Sequence, residues 1–76
     1  MSDMDRGLIH NHRAKLGRQI RQIREEQGWD IEQVALMTDV KPATIEKIEA
    51  GAFNIPLDIL VRVADVLGCE FFIKQK

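Results

Sequence analysis

The side chains of this 76-residue chain that could carry a reaction are few, and their spacing assembles no familiar reaction centre. His10-Asn11-His12 invites a metal or nuclease reading, but two histidines two apart do not share a helix face, and no cysteine or carboxylate cluster accompanies them. They read as a solvated helix start. Ser2 is the single serine and tyrosine is absent, so no hydroxyl nucleophile stands beside a base or a glycine-rich anion cradle. Glu25, Glu26, Glu46 and Glu49 sit at helical spacings that suit surface charges better than a paired acid and base. Cys69 has no partner for an internal disulfide and lies in an apolar context, which suits a buried structural thiol. The expectation is therefore a non-enzymatic protein with no metal and no cofactor.

Charge is more informative. The formal net charge is −1 and the pI about 6.1, which is not the balance of a strongly cationic nucleic-acid binder. The average hides an asymmetry, however. Residues 1–24 hold Arg6, Arg13, Lys15, Arg18, Arg21 and Arg24 against Asp3 and Asp5, a balance of +4, and the remainder is −5. A basic first helix beside an acidic body can offer a positive face to a polyanion. Hydrophobic residues at 45% and charged residues at 30% are ordinary for a globular chain, and no long apolar run or signal-peptide pattern is present. A cytoplasmic location without membrane contact is expected. A chain of this size buries only about three-fifths of its unfolded surface, so association with a second copy would help stability.

The elements that would position any function centre on residues 30–51, DIEQVALMTDVKPATIEKIEAG. Asp30 is placed to cap a helix whose apolar face is Ile31, Val34 and Ala35; that face runs out at Thr38-Asp39. Pro42 suits the first position of a second helix, Ile45 and Ile48 form its apolar stripe, and Gly51 can end it. Two short helices around a tight polar turn suggest a helix-turn-helix. Before them, a helix is expected from about His12 to Gln27, with Leu16, Ile20 and Ile23 on one face and Gly28 at its end. Trp29 at the connection reads as a core plug. Residues 1–10 lack a cap and contain Gly7, and are expected to form a flexible arm.

Ala35, Val40, Thr44-Ile45, Ile48-Glu49 and Gly51 fall without a gap on the signature of the phage-repressor-like (Xre, or Cro-type) helix-turn-helix family, which the chain resembles over roughly residues 14–68. Leu16-Gly17, Ile20-Arg21, Arg24 and Gly28 extend the match upstream, and Asn54, Leu57-Asp58, Leu60, Ala64 and Leu67-Gly68 extend it downstream. The resemblance implies an all-α, lambda-repressor-like bundle of four to five helices occupying residues 11–68, and a sequence-specific DNA-binding transcriptional regulator that acts as a dimer on double-stranded DNA. It implies that Lys41, Pro42, Ala43, Thr44 and Lys47 face the major groove, with Lys47 the base reader, Lys41 and Thr44 on phosphates, and Asn54 a further phosphate donor. It also implies a staple between Arg24 and Glu49. Departures from the family pattern are Ile31 in place of a frequent phosphate-binding glutamine, apolar Pro42 and Ala43 at reading positions, and Ala50, Ala52 and Phe53 where polar or basic residues are common. These departures, with an apolar last helix, motivate the alternative of a protein-interaction module, such as an antitoxin-like subunit with a protein partner.

That last helix, about Leu57 to Leu67, has polar residues only at Asp58, Arg62 and Asp65, leaving more apolar circumference than one core can cover. After Gly68, residues 69–76 open with a β-favouring run, expected as a short strand over 69–74. Ile59, Val63, Val66, Phe71, Phe72 and Ile73 are the expected dimerisation residues, the strand pairing with its copy across a two-fold axis.

Overall fold

A computed structural model describes residues 3–52 and 54–75, and four helices follow one another in it: α1 (Asp3–Glu26), α2 (Ile31–Thr38), α3 (Pro42–Glu49) and α4 (Leu57–Val66). The local chemistry of each boundary is visible. Asp30, in an extended conformation, accepts from the Gln33 amide at 2.7 Å, while the Gln33 side chain accepts from the Asp30 amide at 2.8 Å. This reciprocal capping box satisfies two of the amide donors that a helix start leaves open. Thr38, fully enclosed at the other end of α2, donates its hydroxyl to Val34 O at 2.7 Å, so its burial leaves no polar group orphaned. Asp39 then turns the chain at φ 56°, a left-handed conformation that aspartate tolerates better than most residues.

α1 packs on α3, and α2 packs on both α3 and α4. Ile20 from α1, Val34 and Ala35 from α2, Ile45 and Ile48 from α3, and Leu60, Val63 and Leu67 from the last helix and its end make one core. Trp29 and Ile31 are half-buried against it, as is Cys69. Gln27 ties the end of α1 to the end of α4 by donating to Leu67 O at 2.6 Å.

Three sequence expectations change. α1 begins at Asp3 rather than near His12, so residues 3–10 are helical; Gly7 costs a helix interior only about 1 kcal/mol, which the continuing helix overcomes. Residues 1–2 lie outside the described residues. The strand over 69–74 is absent: among the described residues there is no strand, and the segment after Cys69 is irregular. A β-favouring run forms a strand only beside another backbone edge, and a subunit of helices supplies none. Val63 is not a surface residue, being 0% exposed in the subunit's own core. On α4, Leu60, Val63 and Ala64 face inward, Ile59 and Val66 are half-buried, and Leu57 and Val61 are exposed.

Candidate nucleic-acid interface

The seat of α3 is formed by α1, and two glycines permit its closeness. A Cβ on Gly17 would fall on the carbonyl oxygens of Ile48 and Glu49, lying 2.7 Å from the latter. Gly51, at φ 74°, passes so close to α1 that a Cβ there would lie 2.7 Å from the Ala14 Cα. Both obstacles are backbone, so neither can swing aside. Gly51 also closes α3: its amide donates to Ile48 O at 3.0 Å and the Ala52 amide to Lys47 O at 3.0 Å, the paired bonds of a Schellman turn.

The ion pair between Arg24 and Glu49 completes the seat. Arg24 Nε donates to Glu49 Oε2 at 2.7 Å and Nη2 donates to Oε1 at 2.9 Å, a bidentate fork, while Nη1 donates to Trp29 O at 2.8 Å. The side chains are only 11% and 7% exposed. The hydrogen bond to Glu49 raises the Arg24 pKa further above its ordinary value, outweighing the opposing effect of burial. A glutamate in the last turn of a helix faces the negative end of the dipole, and the guanidinium offsets that repulsion. One arginine thus fixes the end of α1, the connection at Trp29 and the end of α3.

With Ile45 and Ile48 turned into the core, the opposite face of α3 is exposed at Pro42, Ala43, Glu46, Lys47 and Ala50. These positions recur at helical spacing and form one stripe. Lys41 is the exposed N-cap residue, in extended conformation and without a side-chain cap bond; Thr44 is half-buried at the edge of the stripe. Asn54 is exposed in the loop between α3 and α4. Lys41, Pro42, Ala43, Thr44 and Lys47 are therefore gathered on or beside one short helix, with Asn54 beyond its far end. Phe53 lies outside the described residues. Ile31 packs against the core and offers no polar group where it stands. Sequence reasoning missed Glu46, which shares the stripe with Lys47; its spacing of three and four from Ala43 and Pro42 was the available signal.

The basic balance of residues 1–24 is also redistributed. Arg21 pairs with Glu25 at 2.6 Å and Arg24 with Glu49, so two of its six bases are engaged by carboxylates on the C-terminal half of α1 and on α3. Lys15 and Arg18 are exposed near the middle of α1, where Gly51 approaches Ala14 and brings the loop after α3 alongside.

A family model described as helix-turn-helix matches residues 20–73. The chain belongs to the phage-repressor-like helix-turn-helix family. Among solved structures, this helix-turn-helix chain is similar to the clp gene regulator ClgR from Corynebacterium glutamicum, with 26% identity and a TM-score of 0.72 over 76% of this chain and 62% of that one. A second ClgR structure gives the same identity and TM-score and is covered to 74%. The chain thus spans about three-fifths of the first ClgR chain's length. The restriction-modification controller protein C.AhdI from Aeromonas hydrophila is similar in fold, at 23% identity and a TM-score of 0.74 over 79% of this chain and 91% of that one. No curated protein sequence gives a significant match. No helix of the described residues is long and apolar enough to cross a membrane.

Proposed function

We propose that this chain is a sequence-specific DNA-binding transcriptional regulator that acts as a dimer and has no enzymatic activity of its own. The observation that carries the reading is the exposed stripe of α3, held out from the core by a seat of backbone contacts and a buried ion pair. A recognition helix needs that rigidity, since base contacts depend on placement to within a fraction of an ångström. Lys47 donates to guanine O6 and N7, Pro42 and Ala43 make apolar contact with thymine methyls, and Glu46 accepts from a cytosine amino group. Lys41, Thr44 and Asn54 hold phosphates, and Lys15, next to the Ala14 backbone that Gly51 approaches, is placed to join them. ClgR and C.AhdI are by name a gene regulator and a controller protein, which agrees with this reading.

Dimerisation is supported by what one subunit leaves open. A groove of about 610 Å³ runs between α1 and the end of α4, lined by Leu16, Ile20, Ile23, Leu67, Phe71 and Phe72 among others. Phe72 is 80% exposed and Ile73 99% exposed. The subunit's accessible surface is 5940 Å², whereas a compact 8.7 kDa monomer exposes about 4,700 Å². A second copy would cover the excess with Ile59, Val66, Phe71, Phe72 and Ile73, and would set two recognition helices about 34 Å apart on successive major-groove faces.

The test is duplex binding across a salt series, with a site selected from random DNA. Lys47→Ala is expected to lower specific affinity by about 1 to 3 kcal/mol and relax base preference, whereas Lys41→Ala weakens all sequences evenly and flattens the salt slope by about one unit. If neither variant departs from the parent, the assignment of α3 to the groove is wrong. If no duplex is bound selectively, the interaction-module reading replaces this one.

A further inference from the structure

Glu46 shares the exposed stripe of α3 with Lys47, and it also borders a cleft of about 270 Å³ where the start of α2 and the end of α3 meet α1. The cleft is lined by Arg21, Arg24, Ile31, Glu46, Glu49 and Ala50. Arg24 and Glu49 are bonded to each other, and the side chains of Ile31 and Ala50 carry no polar atom. Arg21 and Glu46 therefore supply the polar groups that remain open to a guest. Arg21 Nε donates to Glu25 Oε1 at 2.6 Å, a contact within α1, while its two Nη groups have no partner among the described residues. The Glu46 carboxylate has none among them either, so a guanidinium with spare donors and an open carboxylate face one cleft without forming an ion pair.

That pairing of a donor with an acceptor fits a strand of DNA better than a simple ion. A cytidine nucleotide offers a phosphate that accepts and a base amino group that donates, which match the spare donors of Arg21 and the open carboxylate of Glu46. Glu46 alone is poorly suited to the groove, because phosphates repel an uncompensated carboxylate. Arg24 cannot compensate it, since all three of its nitrogens are engaged by Glu49 and the Trp29 carbonyl. We propose that Arg21, on α1 and outside the α2–α3 pair, is a specificity-determining residue that positions Glu46 on DNA. One Nη group donates to a phosphate and the other to one Glu46 oxygen, leaving the second Glu46 oxygen to accept from the cytosine amino group. The bond to Glu25 uses Nε, and with those two side chains 65% and 52% exposed it constrains the guanidinium only weakly. The inference rests on the placement of α3 in the major groove, and it adds to the reading helix a determinant on α1.

The test is a cycle of Arg21→Gln, Glu46→Gln and the double variant in the full-length chain, measured on the site selected from random DNA and on every single-base replacement within it. One base pair is expected at which the parent prefers cytosine about tenfold. Glu46→Gln should abolish that preference, Arg21→Gln should abolish most of it, and the double variant should lose no more than either single variant. Arg21→Gln should also flatten the salt slope by about one unit. Arg21→Lys keeps the charge without the planar fork, and should recover the salt slope but not the preference. Both positions are exposed, so the denaturation midpoints should match the parent's and a lost preference is not a lost fold. An Arg21→Gln variant that keeps the cytosine preference overturns the proposal, as do losses that simply add, or a lysine variant that reads bases like the parent. Lys47→Ala on the same duplexes separates the two readings. If it relaxes preference at its own base pair while the Arg21 and Glu46 variants read like the parent, α3 is in the groove and only the Arg21–Glu46 assignment fails. If no duplex is bound selectively, both fail.

Discussion

The α1–α3 junction and the α1–α4 groove are built on the same long helix, yet only the first is closed within one subunit. At the junction, Gly17 and Gly51 let backbone meet backbone, and Arg24 spends all three of its nitrogens on Glu49 and Trp29. At the groove, Leu16, Ile20 and Ile23 look across to Leu67 and Phe71 with about 610 Å³ between them. The segment from 70 to 75 makes no backbone hydrogen bond with the described residues, the last anchoring bond being that of the Cys69 amide to Ala64 O at 2.8 Å. The difference teaches where rigidity is needed. The side of α1 that seats the proposed reading helix is finished inside the subunit, and the side that faces away is left open.

The largest expected effect comes from breaking the junction at its ion pair. Arg24→Ala leaves Glu49 buried without its cation, and Glu49→Ala does the reverse; each is expected to cost about 3 to 4 kcal/mol of unfolding free energy. The double variant should lose much less than the sum, since neither charge then remains orphaned. A denaturation cycle in which the losses simply add would show that the two side chains do not act as a pair. Gly17→Ala comes next. Its methyl must displace the Ile48 and Glu49 carbonyls, costing about 1 to 3 kcal/mol by overpacking and shifting the end of α3. DNA affinity should fall with it even where the variant remains folded, whereas Gly7→Ala, which meets nothing, should stabilise α1 by up to about 1 kcal/mol.

The same contrast explains what could be read in advance. The junction was legible because its determinants are local or paired: an apolar stripe at Ile45 and Ile48, a terminal Gly51, and an arginine and a glutamate at positions the family resemblance couples. The four helix bodies were legible for the same reason. The start of α1 was not, because Gly7 and the missing cap argue locally against a helix that the rest of α1 propagates. On α4, apolar residues surround most of the circumference, so periodicity could not say that Val63 points inward while Val61 and Leu57 point out. The 69–74 run scored as a strand because β propensity measures how a side chain fits a sheet, not whether a sheet is there. On α2, Leu36 and Met37 adjoin the apolar face in sequence, and only the burial pattern shows that they are exposed while Val34 and Ala35 are not.

The smallest expected effect on the subunit tests the open side of the comparison. Phe72→Ser with Ile73→Ser alters two side chains that one subunit leaves 80% and 99% exposed. Removing exposed apolar groups changes the stability of an isolated fold by no more than about 0.5 kcal/mol each, so at concentrations low enough to hold the parent as monomer, both proteins should unfold alike. At micromolar concentration they should differ, because the parent gains stability by mass action from association and the variant does not. Sedimentation should give a dimer for the parent and a monomer for the variant. Binding to a palindromic duplex should weaken far more than binding to a half-site, since the second recognition helix is lost without any change in the first. A variant that sediments and binds like the parent would place the two-fold contact elsewhere on the subunit. A parent that stays monomeric would mean that the groove is open in solution, and that the excess surface has some other cover.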